Sequence, residues 1–408
     1  MDDLQGTHGR SKRRNDGIEY ALAHGFDWIF FLDADDVMTT DAFASVAHYI
    51  HDYDAIFGLI AEAPVGSDQV TLRPKQLGVT DSLSDIIKND PFLTLQMGHF
   101  VRTKAAATIR FDTEMNTGED FKYYLELWKQ CRCKKIDRVF FINRRGTHST
   151  GPKSATGKEW RTAVSHVFED FCIRNNINHS FIYEGKQVCF AIGNPMDLIH
   201  RHFIASTFFE ATELRYLRTI IPPNSTIVDI GANVGNHLIY FGLFMHQQKI
   251  IPIEPNPSAI TLLKKNIELN HIANVDTSLL GFGIGETYGN FNLQVADYTN
   301  IGAARLIAQS QGDIEVYPLD AKLKEKVDFI KIDVEWMEME ALRGMSQIIQ
   351  DSQPALFIEI MNENTDDFLR WTETQHYKII KTFPYVNAKN FVAAPEGHPL
   401  AQAIRSRP

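Results

Sequence analysis

Cysteine is scarce, with four residues (Cys131, Cys133, Cys172 and Cys189) in a chain of 408. They are too few and too scattered for a disulfide framework, and Cys131-Arg-Cys133 lacks the second pair that a zinc site needs. Reduced thiols and a cytoplasmic location are expected. Basic charge is in deficit: 41 Lys and Arg stand against 51 Asp and Glu, a net charge of −10. That disfavours a nucleic-acid partner, whose backbone calls for a basic surface. Long apolar runs are missing too. The best candidate, Trp28–Leu32, is stopped at once by Asp33, so no membrane span is expected. The first residues, MDDLQGTHGRSKRR, have no apolar core after their basic cluster and do not read as a secretory signal. There is no internal repeat and no low-complexity tract.

What is present fits a globular protein of two domains, with 44% hydrophobic and 23% charged residues. The small, polar, turn-rich stretch Ser149–Gly157 is the clearest change of texture. A helical segment follows over Glu159–Arg174, which places a boundary at 1–178 and 179–408. In the second part strands are expected at Ile227–Ile230, Ile250–Glu254, Val275–Phe282, Phe291–Val295, Phe329–Val334, Leu356–Ile360 and Tyr377–Thr382. Helices fall between several of them, notably Ser258–Leu269 and Met337–Ile349. Such alternation implies an α/β fold with a mostly parallel sheet.

The richest segment is Thr226–His237, TIVDIGANVGNH. An apolar strand ends at Asp229, and a glycine turn leads into an apolar helical run, Leu238–Met245. This is the arrangement of a cofactor crevice in a doubly wound sheet. Gly231 and Gly235 let the backbone bend and approach a ligand. Asn233 stands where a G-x-G-x-x-G site would have its second glycine, which argues for an adenosine ligand smaller than a dinucleotide. About twenty residues on, KIIPIEPNP ends a strand in Glu254, a carboxylate able to accept hydrogen bonds from both ribose hydroxyls. A second cluster, VDFIKIDVEWMEMEALRG, ends a strand at Asp333 and Glu335, which alternation would turn to one side. Glu359 ends the next apolar strand. Three acids on one rim can orient a hydroxyl, take its proton or hold a metal.

With these motifs in order and spaced as they are, about Asp197 to Asn362 resembles the FkbM family of S-adenosylmethionine-dependent methyltransferases. The matching segments are VDIGANVGNH, IEPNP with LLKKNIELN, FIKIDVEWMEMEALRGM and PALFIEI. The resemblance implies a Rossmann-like domain that transfers methyl to an oxygen, often on a sugar. It implies that Asp229, Gly231, Asn233 and Gly235 surround the methionine part, that Glu254 meets the ribose with Asn256 beside it, and that adenine lies near Gly283–Glu286. Asp333 is the first choice for the base, with Glu335 beside it and His237 or Glu210 behind. The family usually has Gly where this chain has Trp336, an indole that would wall the acceptor pocket or obstruct it.

The first part carries WIFFLDADDV, a strand ending in Asp33 and Asp35, two carboxylates able to share a divalent cation on a diphosphate. Basic residues open a helix at Gly9–Gly17, Glu119 and Asp120 start another, and His148 follows the strand Val139–Asn143. Together these resemble, over roughly Gly9–Gly151, the later half of family-2 glycosyltransferases with the A-type nucleotide-sugar fold. The resemblance implies a nucleotide sugar, Mg2+ or Mn2+ at Asp33 and Asp35 with His148 in the metal set, Arg14 on the diphosphate and Asp120 as general base. The elements with which that family begins are not seen before Gly9, so an incomplete glycosyltransferase-like domain is expected. Its open strand edge would call for cover by another part or by a second copy of the chain. The leading expectation is methyl transfer to a hydroxyl of a sugar or glycan-type acceptor. The alternatives are a bifunctional glycosyltransferase and methyltransferase, or a non-catalytic scaffold.

Overall fold

The computed structural model describes residues 9–64, 66–67, 69–89, 91–145, 157–294, 302, 304–398 and 400. It divides into two compact units, Met1–Asn175 with Gly193–Met196, and Asn176–Ile192 with Asp197–Pro408. No helix among the described residues is long and apolar enough to cross a membrane. All four cysteines are free thiols.

The first unit is built on a sheet ordered Trp28–Phe30, His99–Arg102, Ala55–Pro64, Cys133–Arg145 and Val37–Met38, with Thr71–Leu72 paired onto Ala55–Pro64. Only the contact of Ala55–Pro64 with Cys133–Arg145 is parallel. Its core gathers Ile56, Ile60, Phe100 and Phe140. The helix Glu119–Gln130 buries Phe121, Tyr124, Leu125 and Trp128, residues at the three- and four-residue spacing of a core-facing stripe.

The second unit holds the cofactor-type motifs. Its main strands are β1 (Thr226–Ile230), β2 (Lys249–Ile253), β3 (Phe329–Ile332), β4 (Ala355–Met361), β5 (Tyr377–Pro384) and β6 (Ala388–Pro395). They lie in the order β2-β1-β3-β4-β6-β5. The first four are parallel, and β6 and β5 join antiparallel. Strands covered on both faces read as near-continuous apolar runs, and β1 and β3 are buried at every position, Asp229 and Lys331 included. Helix α1 (Ala211–Ile220) precedes β1, α2 (Asn236–Phe244) follows it, and α3 (Pro257–Leu269) follows β2. Asn256 caps α3 by accepting from Ser258 N–H at 3.0 Å, with Pro257 at the first helical position. A smaller sheet, Gly283–Ile284, Ile314–Tyr317, Gly289–Gln294 and Arg305–Ala308, stands between β2 and β3 in the chain.

Three expectations need correction. The strand expected at Val275–Phe282 is reduced to one bridge from Val275 to Ile250 and a short 3-10 turn at Thr277–Leu279. Asp276 caps that turn through Ser278 N–H, a local bond that competes with a ladder. The helix expected at Met337–Ile349 is two, α4 (Glu338–Arg343) and α5 (Ser346–Ser352). They part at Gly344, where a Cβ would stand 1.9 Å from the Gly285 carbonyl oxygen. Finally, β3 ends at Ile332, so strand alternation does not orient Glu335.

The hairpin Asn178–Tyr183 with Lys186–Ala191 is held to α3 by a buried amide. Asn266, fully buried, accepts from Ala191 N–H and donates to the Val234 carbonyl, both at 2.7 Å. Replacing it by Leu leaves a buried donor and acceptor unpaired, at a cost of about 3 kcal/mol. Asn266→Leu is therefore expected to lower the melting temperature of the full chain. An unchanged thermal transition in scanning calorimetry would show that the clasp does not hold the glycine turn.

Candidate active site

The ends of β1, β2, β3 and β4 open onto a cavity of about 240 Å³. Parallel strands place their carboxyl ends on one edge, and the turns that leave them form its walls. After β1 the chain turns through Gly231 (φ +74°), Asn233 (φ +48°) and Gly235 (φ +91°). A Cβ on Gly231 would lie 1.8 Å from the Asp333 carbonyl oxygen, and one on Gly235 would lie 2.6 Å from Leu263. Gly231 therefore excludes a side chain, and at Gly235 one would be strained by its φ and would displace Leu263. Gly231, Asn233, Glu254 and Asn256 line the cavity, whereas Asp229 and Gly235 are not among its lining residues.

Glu254 is fixed at the cavity edge. One carboxylate oxygen accepts from Asn233 N–H and the other from Asn256 N–H, both at 2.8 Å. Burial pushes its carboxyl up to about 7, against the pull of those two N–H groups. Each oxygen keeps a lone pair for a further donor. The side chain of Asn256 is engaged in capping α3.

Asp229 is fully buried, and neither of its oxygens has a hydrogen-bond partner. Its charge is answered by Lys331, its register neighbour on β3, whose Nζ lies 3.5 Å away. The same ammonium donates to the Gly231 carbonyl at 2.7 Å and pairs with Asp333 at 3.4 Å. Burial alone would lower the Lys331 ammonium's hold on its proton, but Asp333, Asp229 and Glu210 outweigh it and raise the group above the ordinary lysine range. Lys331 escaped the motif reading. Its signal was a lysine inside the otherwise apolar run FIKI, a charge that must find partners once buried.

Asp333, Glu335 and Glu359 come together on the rim, with oxygens within 4.8 Å of one another, the reach of a single divalent cation. Glu335 arrives through a turn in which it and Trp336 both take positive φ, +47° and +81°. Burial, then Asp333 and Glu338, push the Glu335 carboxyl up to about 8. Burial, Asp333, Glu335 and Glu210 push Glu359 far above the ordinary carboxylate range. Trp336 does not line the cavity; it is 36% exposed and stacks under the Arg305 guanidinium at 4.5 Å.

Glu210 and His237 face each other at 3.1 Å on the cavity wall. Glu210 takes a left-handed backbone (φ +54°), and its carboxylate accepts from Asn390 Nδ2 at 2.5 Å. Asn390 belongs to no motif found in the sequence.

In the first unit Arg14 pairs with Asp33 at 3.0 Å and with Glu119 at 3.2 Å. Asp120 stands half-buried next to Glu119 in the chain, and desolvation with the Glu119 charge pushes its carboxyl up to about 6. Asp35 is exposed. Asp36 turns inward, accepting from Asn143 and from Arg144 N–H, both at 3.0 Å. Among the described residues no His, Cys, Asp or Glu joins Asp33 and Asp35 in a three-ligand group. His148 lies outside the described residues.

Comparison with known proteins follows the same division. Residues 229–383 match the methyltransferase FkbM domain, and residues 4–118 match glycosyl transferase family 2. Methyltransferase 1 of Beauveria bassiana (strain ARSEF 2860) is 26% identical over 197 residues, covering 42% of this chain and 78% of its own length. Methyltransferase sdnD of Sordaria araneosa is 25% identical over 187 residues, covering 36% of this chain and 70% of its own. The solved structure of methyltransferase FkbM from Methylobacillus flagellatus KT is 21% identical with a TM-score of 0.31; the match covers 45% of this chain. This chain spans about half the length of that protein, 51%. The chain thus carries an FkbM methyltransferase domain in its C-terminal half and a glycosyl transferase family 2 domain at its N-terminus.

Proposed function

We propose that the second unit transfers a methyl group from S-adenosylmethionine to a hydroxyl oxygen of a sugar or glycan-type acceptor. The observation that carries this reading is one cavity walled by the β1 glycine turn, by Glu254 and by the acid rim of Asp333, Glu335 and Glu359. The fit to the donor rests on Glu254, whose two oxygens are held apart by backbone N–H groups and keep lone pairs for a ribose diol. Carboxylates outnumber cations around the cavity, which suits a sulfonium and an ammonium. When bound, the donor supplies an electrophilic methyl group on that sulfonium. The chain's residues align the acceptor oxygen with it, an alignment that supplies much of the rate.

Gly231 and Asn233 would pass along the methionine part, with Asp229 acting one layer behind through Lys331. Gly235 would shape the turn. Gly283 and Ile284, also on the cavity wall, would border the adenine. Asp333 and Glu335 would accept the hydrogen bond of the reacting hydroxyl, and its proton would leave to a carboxylate of this rim. An acidic rim repels phosphate, which supports a polyol over a nucleic acid as acceptor. The glycosyl transferase family 2 domain on the same chain supports a saccharide.

Asp333→Asn is expected to lower methyl transfer to a saccharide by about 100-fold, the scale of losing a general base. Its affinity for S-adenosylmethionine in calorimetry should stay within about threefold. Turnover equal to wild type, or methylation of RNA alone in a mixed acceptor panel, would sink this reading.

The ribose contact gives a pH dependence with a definite sign. Glu254 is raised to about 7, so it is protonated below that pH and a full acceptor above it. Donor affinity should rise between pH 6 and pH 8 and lose this dependence in Glu254→Gln. A flat profile in the wild type would remove Glu254 from the donor site.

For the first unit we propose a nucleotide-sugar site with Mg2+ or Mn2+ at Asp33 and Asp35, supported by the Arg14, Asp33 and Glu119 cluster. His148 remains part of that metal set as a proposal, and Asp120 is its candidate base. Manganese-dependent hydrolysis of a nucleotide sugar, lost in Asp33→Asn, is the expected result. Hydrolysis that survives Asp33→Asn would count against the site.

A further inference from the structure

The strand registers set three oxygen-bearing side chains in one row. Ile332 pairs with Ile358 across β3 and β4, and Glu359 pairs with Asn390 across β4 and β6. Asp333, one residue past the end of β3, continues that register, which sets it in a row with Glu359 and Asn390 on neighbouring strands about 4.8 Å apart. Glu335 reaches the same place from the turn beyond β3, and the three carboxylates offer oxygens within 4.8 Å of one another.

Crowded acids alone would say little; Asn390 adds an independent sign. It is 1% exposed, its Nδ2 is committed to Glu210, and its Oδ1 has no hydrogen-bond partner. A buried amide oxygen left unpaired carries the full cost of its desolvation. Its neighbour across the ladder is Glu359, and no hydrogen bond joins the two side chains. Among the described residues Glu359 has no Lys, Arg or His within ion-pair distance, while Lys331 is shared between Asp229 and Asp333. A cation satisfies both groups at once.

We propose that Asp333, Glu335 and Glu359, with the amide oxygen of Asn390, form a binding site for one divalent cation of the Mg2+ or Mn2+ class. The donor set is all oxygen, which selects a hard cation over zinc or copper. The three carboxylates also line the cavity assigned to the acceptor. A role for the cation in holding the acceptor oxygen rests on the methyl-transfer reading; its binding does not.

The test is a Mn2+ titration of the full chain by calorimetry, with free Mn2+ followed by electron paramagnetic resonance. Glu359→Gln, which keeps the shape of the side chain, should weaken one site at least about tenfold, since carboxylate count tunes such affinities over several decades. Asn390→Ser should weaken the same site more modestly. Asp33→Asn should leave it intact, which separates it from any metal held by the first unit. Circular dichroism checks that each variant is folded. Identical titrations of the wild type and folded Glu359→Gln, or a loss traced wholly to Asp33→Asn, would overturn the proposal. S-adenosylmethionine binding is measured on the same samples. Manganese bound without S-adenosylmethionine would strike the methyl-transfer reading and leave the cation site standing.

Discussion

A single buried ammonium organises the cavity edge of the second unit. Lys331 sits in the central strand β3, 3% exposed in its side chain, with Asp229 on one side and Asp333 on the other. A lone charge at that depth would cost several kcal/mol. The lysine is tolerable because two carboxylates and the Gly231 carbonyl share it. The dependence is mutual, since Asp229 has no hydrogen bond of its own. The ammonium thereby couples the glycine turn after β1 to the acid rim after β3. With the Asp333 carbonyl oxygen pressed against the Cα of Gly231, the two strand ends admit no side chain between them.

The parts of this fold that could be read from sequence are those where one residue type answers one local requirement. Gly231 and Gly235 take positive φ, Pro257 opens α3, and the apolar runs Thr226–Ile230 and Phe329–Ile332 are buried strands. Asp33, Asp120, Glu254 and Asp333 could be singled out because they end strands or start helices. Contacts between distant segments were not legible. Asn390 bonds Glu210 across 180 residues, and nothing in the composition of Ala388–Pro395 marks it. The split of α4 from α5 at Gly344 depends on the Gly285 carbonyl, far off in the chain. Glu335 was expected at the rim through strand alternation, and it reaches the rim through a left-handed turn.

Trp336 stands where the resemblance to the FkbM family leads to a glycine being expected, and it does not close the cavity. A left-handed backbone costs a residue with a side chain roughly 1–2 kcal/mol, and Glu335 and Trp336 take that conformation in succession. An exposed indole under a guanidinium at 4.5 Å returns about 0.5–1 kcal/mol. Arg305 therefore offsets part of the cost of the conformation at Trp336. The contact also directs the indole away from the cavity, whose wall does not include it. What the turn secures is the Glu335 carboxylate, carried back over the end of β3 to stand beside Asp333 and Glu359. A glycine there would give the same bend more cheaply, without an outward aromatic to fasten it. Tryptophan at this position therefore sets how the acid rim is braced and leaves its three carboxylates in place.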